Sequence, residues 1–257
     1  MILIEAPVLT GLPGVRHAFL TRQGGVSGGP FASLSAGLRS GDDPANVAEN
    51  RARAARALGF APDRLVAARQ VHGPDCAVVG EPWAPEDAPD ADALATDRPG
   101  VLLGVLTADC APVLLADPAA GVVGAAHAGW KGALSGVVER TVEAMLGLGA
   151  TRPGIAAAVG PSIARDSYEV GPEFEARFRA EDPASGDRFS PAPGSDRRLF
   201  DLKAYAADRL RRAGVGRVEV LPHDTCADEA LFFSFRRATR RGEARFGVQL
   251  SVVGLTA

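Results

Sequence analysis

Residues 101–132 read VLLGVLTADCAPVLLADPAAGVVGAAHAGWKG and lie in the most apolar third of this 257-residue chain. Residues 101–106 form a short apolar run that predicts a buried strand. Two further strands are predicted at 113–116 and 122–126, on either side of an Asp-Pro-Ala-Ala-Gly turn at 117–121. This stretch therefore predicts a buried strand followed by a β-hairpin, around which the other elements are arranged.

The predicted hairpin places Cys110 and His127 across from each other or one step apart. Directly opposed residues on antiparallel strands have Cβ atoms about 4.5–5.5 Å apart. That separation suits one Zn²⁺ held by a thiolate and an imidazole, and it equally suits a thiol–imidazole hydrogen bond. Pro112 cannot donate to a strand ladder, so we expect the pairing to lie at a sheet edge or a bulge.

His72 is the predicted third member of this group, because it ends a strand predicted at 64–72 and should face solvent. Three protein ligands with an open fourth position are typical of catalytic zinc. Each residue also has a simpler interpretation: Cys110 as a small buried hydrophobe, and His72 as a solvated group. The other cysteines and one further histidine are interpreted as packing or structural residues: His17, Cys76 and Cys226.

The flanking sequence mixes helices and strands without regular alternation. An Asp-Pro N-cap at residue 43 begins a helix that ends before Gly59, an amphipathic helix follows residue 132, and a last helix spans 202–213. A strand is predicted at 218–221, and the polar stretch 181–198 is expected to be a long exposed loop. The pattern predicts an α+β fold, or α/β with a mixed sheet, in a single domain over residues 1–257.

Composition excludes several classes of function. There are 28 basic and 31 acidic side chains, and the net charge of -3 gives no sign of a nucleic-acid or anionic-membrane surface. Three cysteines do not make a disulfide framework, and no apolar run approaches the roughly 20 residues that a membrane helix needs. The N-terminus lacks a basic region before its short apolar stretch, so we expect no signal peptide and a cytoplasmic location.

Several further residues are predicted to contact substrate. Lys131 lies where Gly-Trp-Lys-Gly opens a helix, and Arg22 precedes a glycine turn, so either cation could hold phosphate. Arg236 belongs to a basic cluster that could meet a small anion, and Gln70 lies two residues before His72. Asp109, beside Cys110, is predicted either to orient or relay a proton or to serve only the turn.

The chain closely resembles the laccase-domain family, whose members were first named multicopper polyphenol oxidases and are now described as purine nucleoside phosphorylases. The resemblance runs through nearly the whole chain in order, over segments 21–27, 41–44, 70–73, 107–110, 127–130, 160–161, 168–171 and 233–237. It implies that His72, Cys110 and His127 are zinc ligands. It also implies a layered α/β/β/α fold with mixed sheets, like the catalytic domain of cytotoxic necrotizing factor toxins. Lys131 departs from the family, which usually has arginine there.

The resemblance implies phosphorolysis of purine nucleosides: inosine, adenosine, guanosine or methylthioadenosine plus phosphate would give the free base and ribose 1-phosphate. It also implies an adenosine deaminase activity. A nucleoside and phosphate are then the partners, and a homodimer is left open. Zinc is the expected metal and copper an alternative occupant, because four histidines are too few for a multicopper centre.

Two rival interpretations remain open. In the first, the chain is a metal-free hydrolase or amidase that edits peptidoglycan precursors, with Cys110 as nucleophile and His127 as base. That interpretation leaves His72 without a role. In the second, the chain is a metal-dependent interaction module with no turnover, which an exposed three-ligand site suits less well than it suits catalysis.

Overall fold

The computed structural model describes residues 1–256, which form two large β-sheets and one small one. The five-stranded sheet contains, in spatial order, β1 (Leu3–Ile4), β2 (Val15–Leu20), β14 (Gln249–Leu255), β6 (Leu102–Thr107) and β3 (Leu65–Val66). The six-stranded sheet contains β13 (Arg217–Val220), β9 (Ala156–Val159), β7 (Ala111–Asp117), β8 (Val122–Ala128), β5 (Ala93–Thr96) and β4 (Cys76–Val78). The small sheet contains β10 (Glu169–Val170), β12 (Arg198–Phe200) and β11 (Phe189–Pro191). Both large sheets mix parallel and antiparallel pairs, which confirms the predicted mixed α/β architecture.

Six α-helices complete the described part of the chain: α1 (Pro44–Ala57), α2 (Trp130–Ser135), α3 (Val137–Gly147), α4 (Pro172–Glu181), α5 (Leu202–Arg212) and α6 (Phe235–Arg240). The predicted N-cap of α1 is confirmed, because the Asp43 carboxylate accepts a hydrogen bond from the Ala45 amide at 2.8 Å. The single helix predicted after residue 132 is wrong: Gly136, with φ of 100°, separates α2 from α3. No helix within residues 1–256 has the length and apolar character needed to cross a bilayer.

Three clusters of buried apolar side chains hold the sheets and helices together in layers. Between the two large sheets, side chains such as Phe19, Val105 and Leu114 pack together. On the outer face of the five-stranded sheet, α1 packs through Ala54 and Ala55. The outer face of the six-stranded sheet carries α3 and α5, through side chains that include Val138, Val142, Tyr205 and Leu210. The order is therefore helix, sheet, sheet, helices, and each sheet buries both faces.

Strands β7 and β8 form the predicted hairpin, with Pro112 opposite His127. The expectation that this pairing lies at a sheet edge is wrong, because β7 is central and also pairs with β9. Proline is tolerated there for a local reason. Its carbonyl accepts a hydrogen bond from Gly160 at 2.8 Å, so its nitrogen faces the same side, just beyond the end of β9.

Two other stretches differ from expectation. The strand predicted at 64–72 is reduced to β3, and the loop predicted at 181–198 contains a 3₁₀ helix (Pro183–Arg188) and β11. Phe189 of β11 stacks on Phe200 with ring centroids 4.7 Å apart, which gives this polar segment an apolar anchor.

Candidate functional site

The structure brings His72, Cys110 and His127 together. His72 follows β3, Cys110 lies between β6 and β7, and His127 is in β8. One donor atom from each lies within 4.8 Å of the other two, and Cys110 Sγ is 4.0 Å from His72 Nε2. The side chains run from buried at His127 to exposed at His72, so the group opens toward solvent on one side.

Backbone strain is concentrated at this group. His72 has φ of 61° and Asp109 has φ of 86°, and no other non-glycine residue within 1–256 has a positive φ. Such conformations cost about 1–3 kcal/mol each and persist only where the surrounding structure enforces them. His72 is itself a predicted ligand, and Asp109 directly precedes the predicted ligand Cys110. The fold therefore maintains an unfavourable backbone conformation at both places, which positions these side chains.

The buried carboxylate of Asp92 enforces this geometry. Its Oδ1 is 2.7 Å from His127 Nδ1 and accepts the His72 amide at 3.0 Å. Its Oδ2 accepts the amides of Val71 and Gly73 at 3.0 and 2.8 Å. Burial alone would raise the pKa of Asp92, but the hydrogen bond and charge of His127, with the backbone donors, lower it. One anionic side chain therefore orients the His127 ring and holds the loop that carries His72.

Sequence reasoning missed Asp92. Its partners lie 35 residues away, at His127, and 20 residues away, at His72. The one available signal was an acidic residue directly before the apolar strand β5, which is unusual at a buried position. A histidine that binds a metal commonly donates its second ring nitrogen to such a carboxylate.

Cys110 and His127 perturb each other. Burial would raise the pKa of the Cys110 thiol, but the charge of His127 and hydrogen bonds from His127 and His72 lower it. Burial would likewise lower the pKa of His127, but the Cys110 thiolate and the Asp92 hydrogen bond raise it. The pair therefore favours a thiolate, which is the form of cysteine that binds metal and acts as a nucleophile.

Gly129 lets the chain pass closely over the three side chains. A Cβ at this position would lie 2.9 Å from Cys110 Sγ, 3.0 Å from His72 Cδ2 and 3.5 Å from His127 Cε1. The φ of Gly129 is -67°, so its backbone is ordinary and the need for glycine is steric.

A cavity of about 980 Å³ lies over the group and is lined by His72, Cys110 and His127. Its wall includes Phe235 and Phe246, whose ring centroids are 5.3 Å apart, and Phe235 is 54% exposed. The proline-rich segment 81–91 supplies Trp83. The wall also includes four arginines: Arg39, Arg51, Arg69 and Arg245. This volume accommodates a small organic ligand beside the group.

Two predicted residues near the group, Gln70 and Asp109, form their hydrogen bonds within the fold. The Gln70 side chain lines the cavity, but its amide both donates to and accepts from the Leu106 backbone at 2.8 Å. Asp109 is buried, and its carboxylate accepts hydrogen bonds from Thr225, Ser234 and the Arg236 amide. Burial raises the pKa of Asp109, and these donors oppose that rise. Asp109 thus joins the turn before Cys110 to the start of α6.

The three predicted anion-binding cations are not part of the cavity wall. Arg22 donates to the Ala32 carbonyl at 2.7 Å and lies over the Phe233 ring. Arg236 donates to the Glu169 carbonyl at 2.8 Å, and Lys131 Nζ lies 5.5 Å from the centre of the Trp130 ring. A role for these three in binding substrate stays a prediction.

The donor set fits one thiophilic divalent cation. Bonds near 2.0–2.1 Å to nitrogen and 2.3 Å to sulfur place tetrahedral ligands roughly 3.5 Å apart. The three donor atoms, which lie within 4.8 Å of one another, would therefore approach each other by up to about 1 Å on binding. Two imidazoles and a thiolate suit zinc or copper, and the open side leaves room for a fourth ligand. The three side chains can therefore bind a metal ion at the wall of the cavity.

Comparison with known proteins gives matches over nearly the whole chain. The family described as multi-copper polyphenol oxidoreductase laccase matches residues 16–256. A Deinococcus radiodurans protein named purine nucleoside phosphorylase is 47% identical over 255 residues, which cover 98% of this chain and 92% of the relative. A Streptomyces coelicolor protein of the same name, SCO2081, is 42% identical over 89% of this chain and 93% of its own. The crystal structure of Neisseria meningitidis protein NMB0706 superimposes with a TM-score of 0.85 at 33% identity, covering 100% of this chain and 99% of the other.

Proposed function

The chain belongs to the multi-copper polyphenol oxidoreductase laccase family, and from that premise we propose that it is a zinc-dependent purine nucleoside phosphorylase. The names of its relatives support an enzyme of this kind. The observation that carries the proposal is the position of His72, Cys110 and His127 on the wall of a cavity large enough for a nucleoside and phosphate.

In the proposed reaction, a phosphate oxygen bonds to the anomeric carbon of the ribose while the bond from that carbon to the purine nitrogen breaks. The purine leaves with the bonding electrons and takes up a proton at its ring nitrogen, which gives free base and ribose 1-phosphate. His72, Cys110 and His127 would hold the zinc ion, which supplies Lewis-acid polarisation of a bound oxygen.

The chain's own residues would bind and orient the reactants. Phe235 and Phe246 present aromatic faces on the cavity wall, and the purine base would stack there. Asp92 would act as a positioning residue, because it fixes the His127 ring and the His72 loop without lining the cavity. The adenosine deaminase activity that the family resemblance implies would use the same cavity.

A second candidate is favoured by one observation. Cys110, His127 and Asp92 stand in the order nucleophile, base and orienting carboxylate, which suffices for a metal-free thiol hydrolase or amidase. It gives no role to His72, which the fold holds in a strained conformation beside the thiol.

The test is phosphate-dependent release of hypoxanthine from inosine, with metal content measured on gently purified protein. We expect activity to disappear in Cys110→Ser and after chelation, and to return when zinc is restored. Cys76→Ser is the matched control, because Cys76 does not line the cavity. No phosphorolysis of inosine, together with hydrolysis of a peptidoglycan precursor that survives chelation and is lost in Cys110→Ser, would favour the thiol hydrolase.

A further inference from the structure

Arg51 is an unpaired cation on the wall of the cavity. Its Nη1 atom is buried and has no hydrogen-bond partner within residues 1–256. Burial alone lowers the pKa of its guanidinium, to about 10, and no carboxylate offsets that effect. Arg51 as a whole is half-buried, but a buried guanidinium nitrogen without a partner or counter-charge is costly, so its place on a cavity wall needs an explanation.

The fold fixes the backbone at Arg51. The preceding residue, Asn50, is fully buried in α1 and donates hydrogen bonds to Ser27 Oγ and to the Ser35 carbonyl, both at 2.8 Å. Its Oδ1 accepts the Val26 amide at 2.9 Å. Because Asn50 locks this turn of α1, the base of the Arg51 side chain has a fixed position.

The cavity as a whole is positively charged. Four arginines line it against one carboxylate, Glu86, although the whole chain has a net charge of -3. Arg69 is paired with Asp90, whereas Arg39, Arg51 and Arg245 form no ion pair within the described residues. Arginines that line a cleft of low dielectric concentrate anions there.

A second polar atom on the same wall lacks a partner. Thr107 ends β6 three residues before Cys110, and its Oγ1 is buried without a hydrogen-bond partner in the described chain. A hydroxyl can donate to an anion, as a guanidinium can. Buried polar atoms in folded proteins usually have a partner, so Arg51 Nη1 and Thr107 Oγ1 are both available to donate to a polar ligand in this cavity.

We propose that Arg51 is the principal anchor of an oxyanion subsite in this cavity, and that its ligand is inorganic phosphate. The guanidinium fork matches two phosphate oxygens, and Thr107 is a second donor. This inference rests on the proposed function for the use of the bound phosphate, as the co-substrate of phosphorolysis. The binding site itself is independent of any reaction.

Binding is tested first, without nucleoside. The melting temperature of the intact protein is followed as phosphate replaces chloride at constant ionic strength, in wild type, Arg51→Gln, Arg51→Lys and Arg56→Gln. Arg56→Gln is the matched control, because Arg56 lies on α1 and its side chain is 60% exposed. We expect phosphate to raise the melting temperature of wild type and control, to have a reduced effect on Arg51→Lys, and to have none on Arg51→Gln.

Stability without phosphate checks that Arg51→Gln is folded. Since this substitution removes a half-buried charge that has no partner, its melting temperature in chloride should equal or exceed that of wild type. A purely structural arginine would behave in the opposite way, and a lower melting temperature in chloride with an unchanged response to phosphate would overturn the proposal.

Steady-state kinetics then test the phosphate subsite and the proposed reaction separately. For inosine phosphorolysis, we expect Arg51→Gln to raise the KM for phosphate at least tenfold with a much smaller change in the KM for inosine. An unchanged phosphate KM in an active enzyme would overturn the subsite while the proposed function stands. Phosphate binding that depends on Arg51, in a protein that cleaves no nucleoside, would support the subsite while the proposed function fails.

Discussion

The carboxylate of Asp92 and the imidazole of His127 are joined by a 2.7 Å contact in which both side chains are almost fully buried. The same oxygen accepts the backbone amide of His72, so two of the three predicted ligands are held by one atom. Their relative position therefore depends on a residue that does not line the cavity.

Replacing Asp92 with asparagine should lower both the metal affinity of the site and the free energy of unfolding. One carboxylate oxygen becomes an amide nitrogen that faces donors, so two hydrogen bonds are lost. Leaving buried donors unpaired costs about 1–3 kcal/mol each, so we expect a loss of about 2–6 kcal/mol in urea unfolding. Metal affinity, measured by chelator competition, should fall about 10–100-fold. Asp90→Asn, in the exposed pair with Arg69, should change neither quantity, and equal effects of the two substitutions would contradict this account.

Gly129→Ala should disable the site without unfolding the chain. The added methyl would contact Cys110 Sγ at 2.9 Å and His72 Cδ2 at 3.0 Å, while the backbone conformation accepts alanine. We expect metal content and activity to fall at least tenfold, with a change in unfolding free energy below about 2 kcal/mol. Gly147→Ala is the control, because a methyl group added there would have nothing within 4 Å. A fully loaded, active Gly129→Ala protein would refute the steric argument.

Much of this site follows from local sequence. The Asp117–Gly121 turn and the apolar runs beside it determine the hairpin, which is why Cys110 and His127 could be paired before the fold was known. The helix break at Gly136 could not be predicted with the same ease, since the apolar face of 134–146 continues through it.

Other features depend on contacts between distant segments. The strand predicted through Gln70 ends early because the Gln70 side chain, rather than its backbone, bonds to Leu106, 36 residues away. Local sequence does not identify Arg51 as a site residue, because only the assembled cavity distinguishes it from Arg53 and Arg56 on the same helix. Arginine and aspartate are common on protein surfaces, so Arg51 and Asp92 stand out only when their environment in the folded chain is known.

Gln70→Glu should destabilise the chain even though the two side chains have nearly the same shape. A glutamate carboxylate cannot donate to the Leu106 carbonyl, which Gln70 Nε2 contacts at 2.8 Å. We expect a loss of about 1–3 kcal/mol in urea unfolding at pH 7. Gln23→Glu makes the same chemical change where the side chain donates to the Ala230 carbonyl at the surface, and it should cost much less. Substrate-specific loss of activity with unchanged stability would instead support a direct substrate contact.

Cysteine alkylation should distinguish Cys110 from Cys76 in protein stripped of metal. The pKa of Cys110 is lowered to about 6, whereas burial raises that of Cys76 to about 12. Iodoacetamide should therefore modify Cys110 at pH 7 and leave Cys76 intact, as read by mass spectrometry. The rate at Cys110 should fall about tenfold per pH unit below pH 6, because the thiolate fraction falls. Zinc should protect Cys110, and alkylation that zinc does not slow would contradict the predicted ligand set.

Stability in acid should depend on Asp182, which receives two hydrogen bonds from Arg212 at 2.9 and 2.7 Å and one from Tyr205. These contacts lower the pKa of Asp182 to about 2. Its stabilising contribution is complete above about pH 4 and is lost as the pH falls toward 2. Asp182→Asn should therefore cost about 1–2 kcal/mol at pH 6 and almost nothing near pH 2, measured by urea unfolding. Asp166→Asn, at an 80% exposed side chain, should show no such pH dependence.

The chain crosses from one large sheet to the other between Thr107 and Ala111, and Cys110 lies in that crossing. His127 belongs to the six-stranded sheet, whereas His72 follows the edge of the five-stranded one. An ion bound by all three side chains would crosslink the two large sheets, which otherwise contact each other mainly through apolar side chains. Metal binding should therefore slow amide hydrogen exchange in both sheets at once. The site would then stabilise the packing of the two sheets in addition to any role in catalysis.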